Sequence, residues 1–123
     1  MSAAGAGDGT LPAPEHHVAG GPKTLALTFG NVPNPLYTPG VLAVLARYHV
    51  PVTFFVLGAN AAKYPDTVRR VADEGHVLGN HTCNHPNLGH LSTPRIRGEI
   101  ERTQQFVTEI TGRAPVLFRV PGG

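Results

Sequence analysis

Two histidines four residues apart, His81 and His85, form the densest chemical feature of this 123-residue sequence. His-x-x-x-His offers two neutral imidazoles to one divalent ion and leaves positions for a third protein ligand and a water. Cys83, the single cysteine, lies between them. It is either a thiolate ligand, since zinc accepts sulfur, or a free thiol at a loop position. The histidines follow Gly75-His76-Val77-Leu78-Gly79-Asn80, a short apolar run that breaks into the polar loop Thr82-Cys83-Asn84. A strand ending in such a loop is where parallel α/β folds gather side chains at the carboxyl edge of the sheet. His76 and His90 read as structural or solvated, and His16-His17 as incidental.

The elements that must position this loop are legible on either side of it. Thr24 to Phe29 is a short run with β-formers, ended by Gly30-Asn31, and reads as a buried strand. Thr38-Pro39 supplies an N-cap and a proline at the first helical position. Val41, Leu42, Val44, Leu45 and Tyr48 then recur at helical spacing to about His49. Val52 to Leu57 reads as a second strand ended by Gly58, followed by a helical turn over Ala59 to Lys63. Asp66 to Glu74 makes a short helix that buries Val68 and Val71 and stops at Gly75. After the histidine loop, Ser92-Thr93-Pro94 opens the longest helix, with Ile96, Ile100, Val107 and Ile110 as its apolar stripe and Gly112 as its end. Pro115 to Arg119 reads as a fourth strand. The order β-α-β-α-β-α-β, with right-handed crossovers, predicts parallel β/α repeats in an α/β fold. Four strands make an open arrangement, where a closed barrel needs about eight.

Composition bounds the class. The chain fits one small domain, with residues 1–22 read from their Ala, Gly and Pro content as a disordered leader or linker and 23–123 as the folded part. Hydrophobic residues at 41% suffice for a core. A net charge of +2 with dispersed basic residues argues against a nucleic-acid binder. Seven histidines make the charge sensitive to mild acid. One cysteine excludes an internal disulfide framework. No apolar run is long enough to span a membrane, and no secretory signal is visible.

Four ordered segments carry a resemblance. They are Leu25 to Phe29 with its following loop; Val52 to Gly58; Glu74 to Thr82 continuing through His85-Pro86; and Leu117-Phe118-Arg119 through Pro121 and Gly123. Together they resemble the NodB-type polysaccharide deacetylases, a carbohydrate esterase family. The resemblance implies a partial, distorted (β/α) barrel, with the later motifs of the family lacking a counterpart before Gly123. It implies a divalent metal, zinc being the expected ion, and hydrolysis of N-acetyl groups on a chitin- or peptidoglycan-type polysaccharide. An extracellular or cell-envelope location goes with such a substrate.

By the same resemblance, His81 and His85 are the histidine ligands, and Arg119 is the arginine that orients the base. Pro121 and Gly122 line the substrate groove, with Gly122 a candidate oxyanion N–H donor where many members have tyrosine. The first motif departs from the family's Thr-Phe-Asp-Asp-Gly-Pro, reading Thr28-Phe29-Gly30-Asn31-Val32-Pro33. Gly30 stands at the general-base position without a side chain. Asn31 stands at the metal-ligand position with a neutral, weaker donor. Val32 replaces a glycine suited to a tight turn or close approach. The expectation is a deacetylase-family protein of impaired hydrolysis; the alternative is a non-catalytic metal- or glycan-binding form or an inactive fragment.

Overall fold

A computed structural model describes residues 26–122. The expected leader over 1–22, and His16-His17 within it, lie outside the described residues. Three strands form one parallel sheet in the order β1-β2-β3: β1 (Thr28–Val32), β2 (Thr53–Val56) and β3 (Val77–Asn80). Helices α1 (Thr38–Tyr48), α2 (Gly58–Lys63), α3 (Pro65–Asp73) and α4 (Thr93–Thr111) connect and cover it, with a short 3-10 turn at Leu88–His90. The parallel β/α order is the one expected, and the open sheet is a partial α/β barrel.

Phe54 and Val56 of β2 and Val32 of β1 meet Leu42 and Leu45 of α1, Val68 and Val71 of α3 and Val107 of α4 in one buried cluster. The 3.6-residue period explains α3 and half of α1. Val44 and Tyr48, placed in the α1 stripe by spacing, are exposed. Apolar identity at helical spacing names candidates for a buried face, and packing uses only some of them.

Several boundaries are corrected. Of the expected Thr24 to Phe29 strand, Thr24 and Leu25 lie outside the described residues, Ala26 and Leu27 are not strand, and β1 runs from Thr28 through Gly30-Asn31 to Val32. Gly30-Asn31 is a bulge within it: Phe29 pairs with Phe54 and Val32 with Val56, so β1 spends one extra residue there. The residue at N-cap of α1 is Tyr37, not Thr38. Thr38 Oγ1 instead accepts from Asn34 N–H at 2.8 Å, while Asn34 Oδ1 accepts from Leu36 N–H, so an Asn-centred turn delivers the chain to the helix. Gly58 opens α2 instead of merely ending β2.

The expected fourth strand, Pro115 to Arg119, is reduced to one parallel bridge between Phe118 and Asn80. Two backbone bonds make it, Asn80 N–H to Leu117 O at 2.8 Å and Arg119 N–H to Asn80 O at 3.0 Å. Pro115 has no N–H to give a ladder, and its carbonyl is taken by Gln104 Nε2 of α4.

Candidate functional site

The carboxyl ends of β1 and β3 bring the histidine loop, the β1 bulge and the Leu117–Arg119 segment together. His81 follows β3 directly and is buried; His85 is exposed. Their rings meet edge to face with centroids 5.0 Å apart. His81 Nδ1 lies 2.8 Å from Arg119 O. A carbonyl can only accept, so Nδ1 carries the hydrogen and Nε2 presents a lone pair, the arrangement that second-shell carbonyls impose on metal-binding imidazoles. Burial lowers the pKa of His81, the bond to Arg119 O works against that, and electrostatic interaction with His85 and Arg119 adds to the lowering. Burial and these neighbours thus favour the neutral ring.

The loop owes its shape to contacts on both sides. Thr82 and His85 hold left-handed backbone, φ 71° and 56°, which is unfavourable for residues with a side chain and most of all for a β-branched one. Thr82 O and Cys83 O accept the first N–H groups of α2, from Gly58 at 3.0 Å and Ala59 at 2.9 Å. Thr82 N–H donates to Asn80 Oδ1 at 2.9 Å, and His85 N–H to Thr82 Oγ1 at 3.2 Å. Asn80 is itself tied to α4 through Ile100 O and Gln104 Oε1, both at 2.9 Å. From α4, Glu99 Oε1 accepts from Cys83 N–H at 3.1 Å and Asn84 N–H at 2.8 Å. Its Oε2 takes Asn84 Nδ2 at 2.7 Å and Arg102 at 3.0 Å. Burial opposes ionisation of Glu99, yet these donors and the Arg102 charge hold its carboxyl below the usual range.

Gly30 and Asn31 face this loop from β1. An ideal Cβ built on Gly30 would lie 3.8 Å from His81 Nε2, ordinary contact distance, so a side chain at this position would start beside the imidazole. Asn31 is exposed with φ 57°, and its carbonyl accepts from Asn60 Nδ2 at 3.3 Å. Val32 is buried at 7% exposure in the core cluster, without left-handed backbone, so this position makes no demand for glycine.

Arg119 lays its guanidinium over the Phe55 ring, 4.4 Å from the centroid, and donates to Thr28 Oγ1 at 2.9 Å. Gly79 makes room for this stack: a Cβ there would sit 2.6 Å from the Phe55 ring. Pro121 and Gly122 follow in a turn, with Gly122 exposed at φ 76°. Cys83 is buried, with Sγ packed toward Gly58 where α2 meets α4, and burial raises its pKa. Among the described residues no three His, Cys, Asp or Glu side chains form a metal-holding group. What the loop brings together is two imidazoles without a carboxylate beside them.

Asn80, Thr82, Glu99 and Phe55 were absent from the sequence-derived site. One signal was available: Glu99 lies four and eight residues before Thr103 and Val107, at helical spacing with the buried face of α4. Asn80 and Phe55 read as ordinary strand residues, and only three-dimensional pairing gives them a role.

The family model described as "Polysaccharide deacetylase" matches residues 17–123, and the chain belongs to that family. It is 43% identical over 99 residues to a peptidoglycan-N-acetylglucosamine deacetylase of Bacillus cereus, an alignment covering 80% of this chain and 36% of that protein. It is 46% identical over 85 residues to a chitooligosaccharide deacetylase of Rhizobium leguminosarum bv. trifolii, covering 69% of this chain and 40% of that one. Among solved structures, peptidoglycan deacetylase PdaC from Bacillus subtilis superposes with a TM-score of 0.77 at 42% identity, covering 78% of this chain and 48% of that one. A CE4 family pseudoenzyme from Bacillus anthracis superposes with a TM-score of 0.75 at 28% identity, covering 80% and 35%. A mutant of that pseudoenzyme with restored enzymatic activity also superposes at 0.75, again at 28% identity, covering 80% and 36%. The chain thus spans less than half the length of each of these proteins.

Proposed function

We propose that this chain forms the metal- and sugar-facing corner of a polysaccharide deacetylase, directed at N-acetylated sugars of the peptidoglycan or chitin type, in a form whose hydrolysis is impaired. The observation that carries the reading is Gly30: a Cβ there would lie 3.8 Å from His81 Nε2, and glycine supplies no side chain. The substrates named for the B. cereus and R. leguminosarum relatives support the sugar class, and a polymer of that kind supports a location outside the cell or in the envelope.

His81 and His85 are the residues that hold the divalent ion, zinc suiting two imidazoles, with the Asn31 amide oxygen a weaker third donor. When bound, that ion supplies Lewis-acid polarisation of an acetamide carbonyl and a lowered pKa for a coordinated water. Arg119 is the group suited to orient a carboxylate at position 30; with glycine there, it donates to Thr28 instead. Without a base at position 30, no side chain on β1 takes the water proton, a deficit on the order of 10²–10⁴-fold. The turn at Pro121-Gly122 is suited to line the sugar groove, Gly122 N–H being available to a developing oxyanion.

Calorimetric titration with zinc chloride tests the metal site. The chain is expected to bind one equivalent, H81A/H85A to lose it, and G30D/N31D to bind on the order of tenfold tighter through added negative charge. Binding unchanged in H81A/H85A overturns the assignment. Acetate release from N-acetylglucosamine oligomers tests the impairment. Turnover by the unmodified chain matching the B. cereus relative overturns it. Complete absence of turnover alongside retained zinc binding favours the non-catalytic form, of which the B. anthracis pseudoenzyme is a related example.

A further inference from the structure

Among the described residues, Glu99 is the one Asp, Glu, Lys or Arg that is buried, at 6% exposure. A carboxylate is taken out of water only when donors replace its hydration. Of the four donors around it, three belong to the segment between the histidines: Cys83 N–H, Asn84 N–H and Asn84 Nδ2. The fourth, Arg102, sits one turn along α4. The carbonyls of the same segment are held by the start of α2, so the peptide units at Thr82–Asn84 are gripped from two helices at once. Left-handed backbone at Thr82 and His85 brackets these units, and such backbone persists only where its surroundings over-determine it.

We propose that Glu99 is the positioning residue of the histidine pair: its carboxylate fixes the Cys83 and Asn84 amides, and thereby the 5.0 Å ring-to-ring arrangement of His81 and His85. It touches neither ring. The consequence for metal affinity rests on the metal-binding reading of the histidines, whereas the consequence for loop geometry does not. Glu99 Oε1 accepts both backbone amides, so a glutamine can keep that half of the grip through its own carbonyl oxygen. An alanine keeps none of it and leaves two inward-facing N–H groups without partners.

The test compares the full chain with E99Q, E99A and N84A in two measurements. Hydrogen exchange at the Cys83 and Asn84 amides of the metal-free protein reads the loop directly. Zinc chloride titration reads the consequence. E99A is expected to lose protection at those two amides beyond any global change and to bind zinc about 10- to 100-fold more weakly, the range for outer-shell partners of metal-binding histidines. E99Q is expected to restore the protection and most of the affinity. N84A, which removes only the Nδ2 contact, is expected to retain the backbone protection. Should E99A fail to fold, E99Q and N84A decide: protection retained in both, with zinc affinity within a few-fold of the parent, supports the proposal. Protection at both amides equal to the parent in a folded E99A overturns it, as does loss in E99Q equal to that in E99A. If the parent binds no zinc, the metal reading falls, and the exchange data alone decide the role of Glu99.

Discussion

Gly30 and Asn31 stand where the resemblance expects two aspartates, and the backbone at both positions bears on what replacing them would do. The bulge in β1 puts Asn31 at φ 57°, a region that Asn and Asp enter more readily than other side chains. Gly30 has no positive φ and open contact distance around its Cβ. G30D/N31D should therefore leave thermal stability close to the parent, within about 1 kcal/mol, as most exposed substitutions do. V32G is a different case. Sequence comparison alone nominates it for restoring the motif, but Val32 is buried in the core, so deleting its side chain and loosening the strand should cost about 2–4 kcal/mol. Urea unfolding of the double and triple variants would measure the difference; equal stabilities would show that Val32 contributes nothing to packing. Residue chemistry was legible here because the motif is linear. The acceptability of each replacement was not, because it depends on φ and burial.

Between elements, the close meeting of α2 and α4 decides how the histidine loop is held. A Cβ on Gly58 would fall 2.5 Å from Thr103 Oγ1, 3.1 Å from Thr103 Cα and 3.2 Å from Cys83 Sγ. G58A should destabilise the fold by about 1–3 kcal/mol through overpacking, and should also loosen Cys83 by pushing α2 away from the loop carbonyls it caps. Chemical denaturation measures the first effect, and thiol labelling rates at Cys83 the second; unchanged labelling would separate α2 from the loop. Gly58 reads in sequence as a strand terminator, and its packing role appears only when α4 is laid against it. The ridge of α4 shows the same limit. Its periodicity nominated Ile96, Ile100, Val107 and Ile110, yet the most buried positions are Glu99, Thr103 and Val107. The period was right and the centre of the face was displaced by about one position, because polar residues with assigned partners can occupy a core-facing ridge. The missing fourth strand has a similar cause: Pro115 to Arg119 has strand composition, but only its end reaches Asn80.

Across the whole molecule, the parallel order of strands and helices was readable from alternating runs and glycine stops, and the fold follows it. The acid response follows from Glu99 and His81 together. Glu99 is held below the ordinary carboxylate value of 4.5, so on acidification the unfolded chain takes up its proton first. The stability Glu99 contributes is thus present above that value and lost as pH falls through its lower native pKa. His81 is held below 6.5, so the unfolded chain protonates there first as well, and stability declines as pH drops below that point. Thermal unfolding in chelator should show a midpoint falling from pH 7.5 to about 5.5 and falling again below about 4.5, with E99Q flattening the lower limb. A midpoint that rises on acidification would contradict both assignments. The bulge in β1 carries one more implication, for ancestry. Glycine and asparagine codons ending in a pyrimidine are each a single base from aspartate codons, and the strand keeps the curvature those aspartates would need. For those two positions the step back to aspartate is a matter of single nucleotides, whereas Val32 is tied to the core.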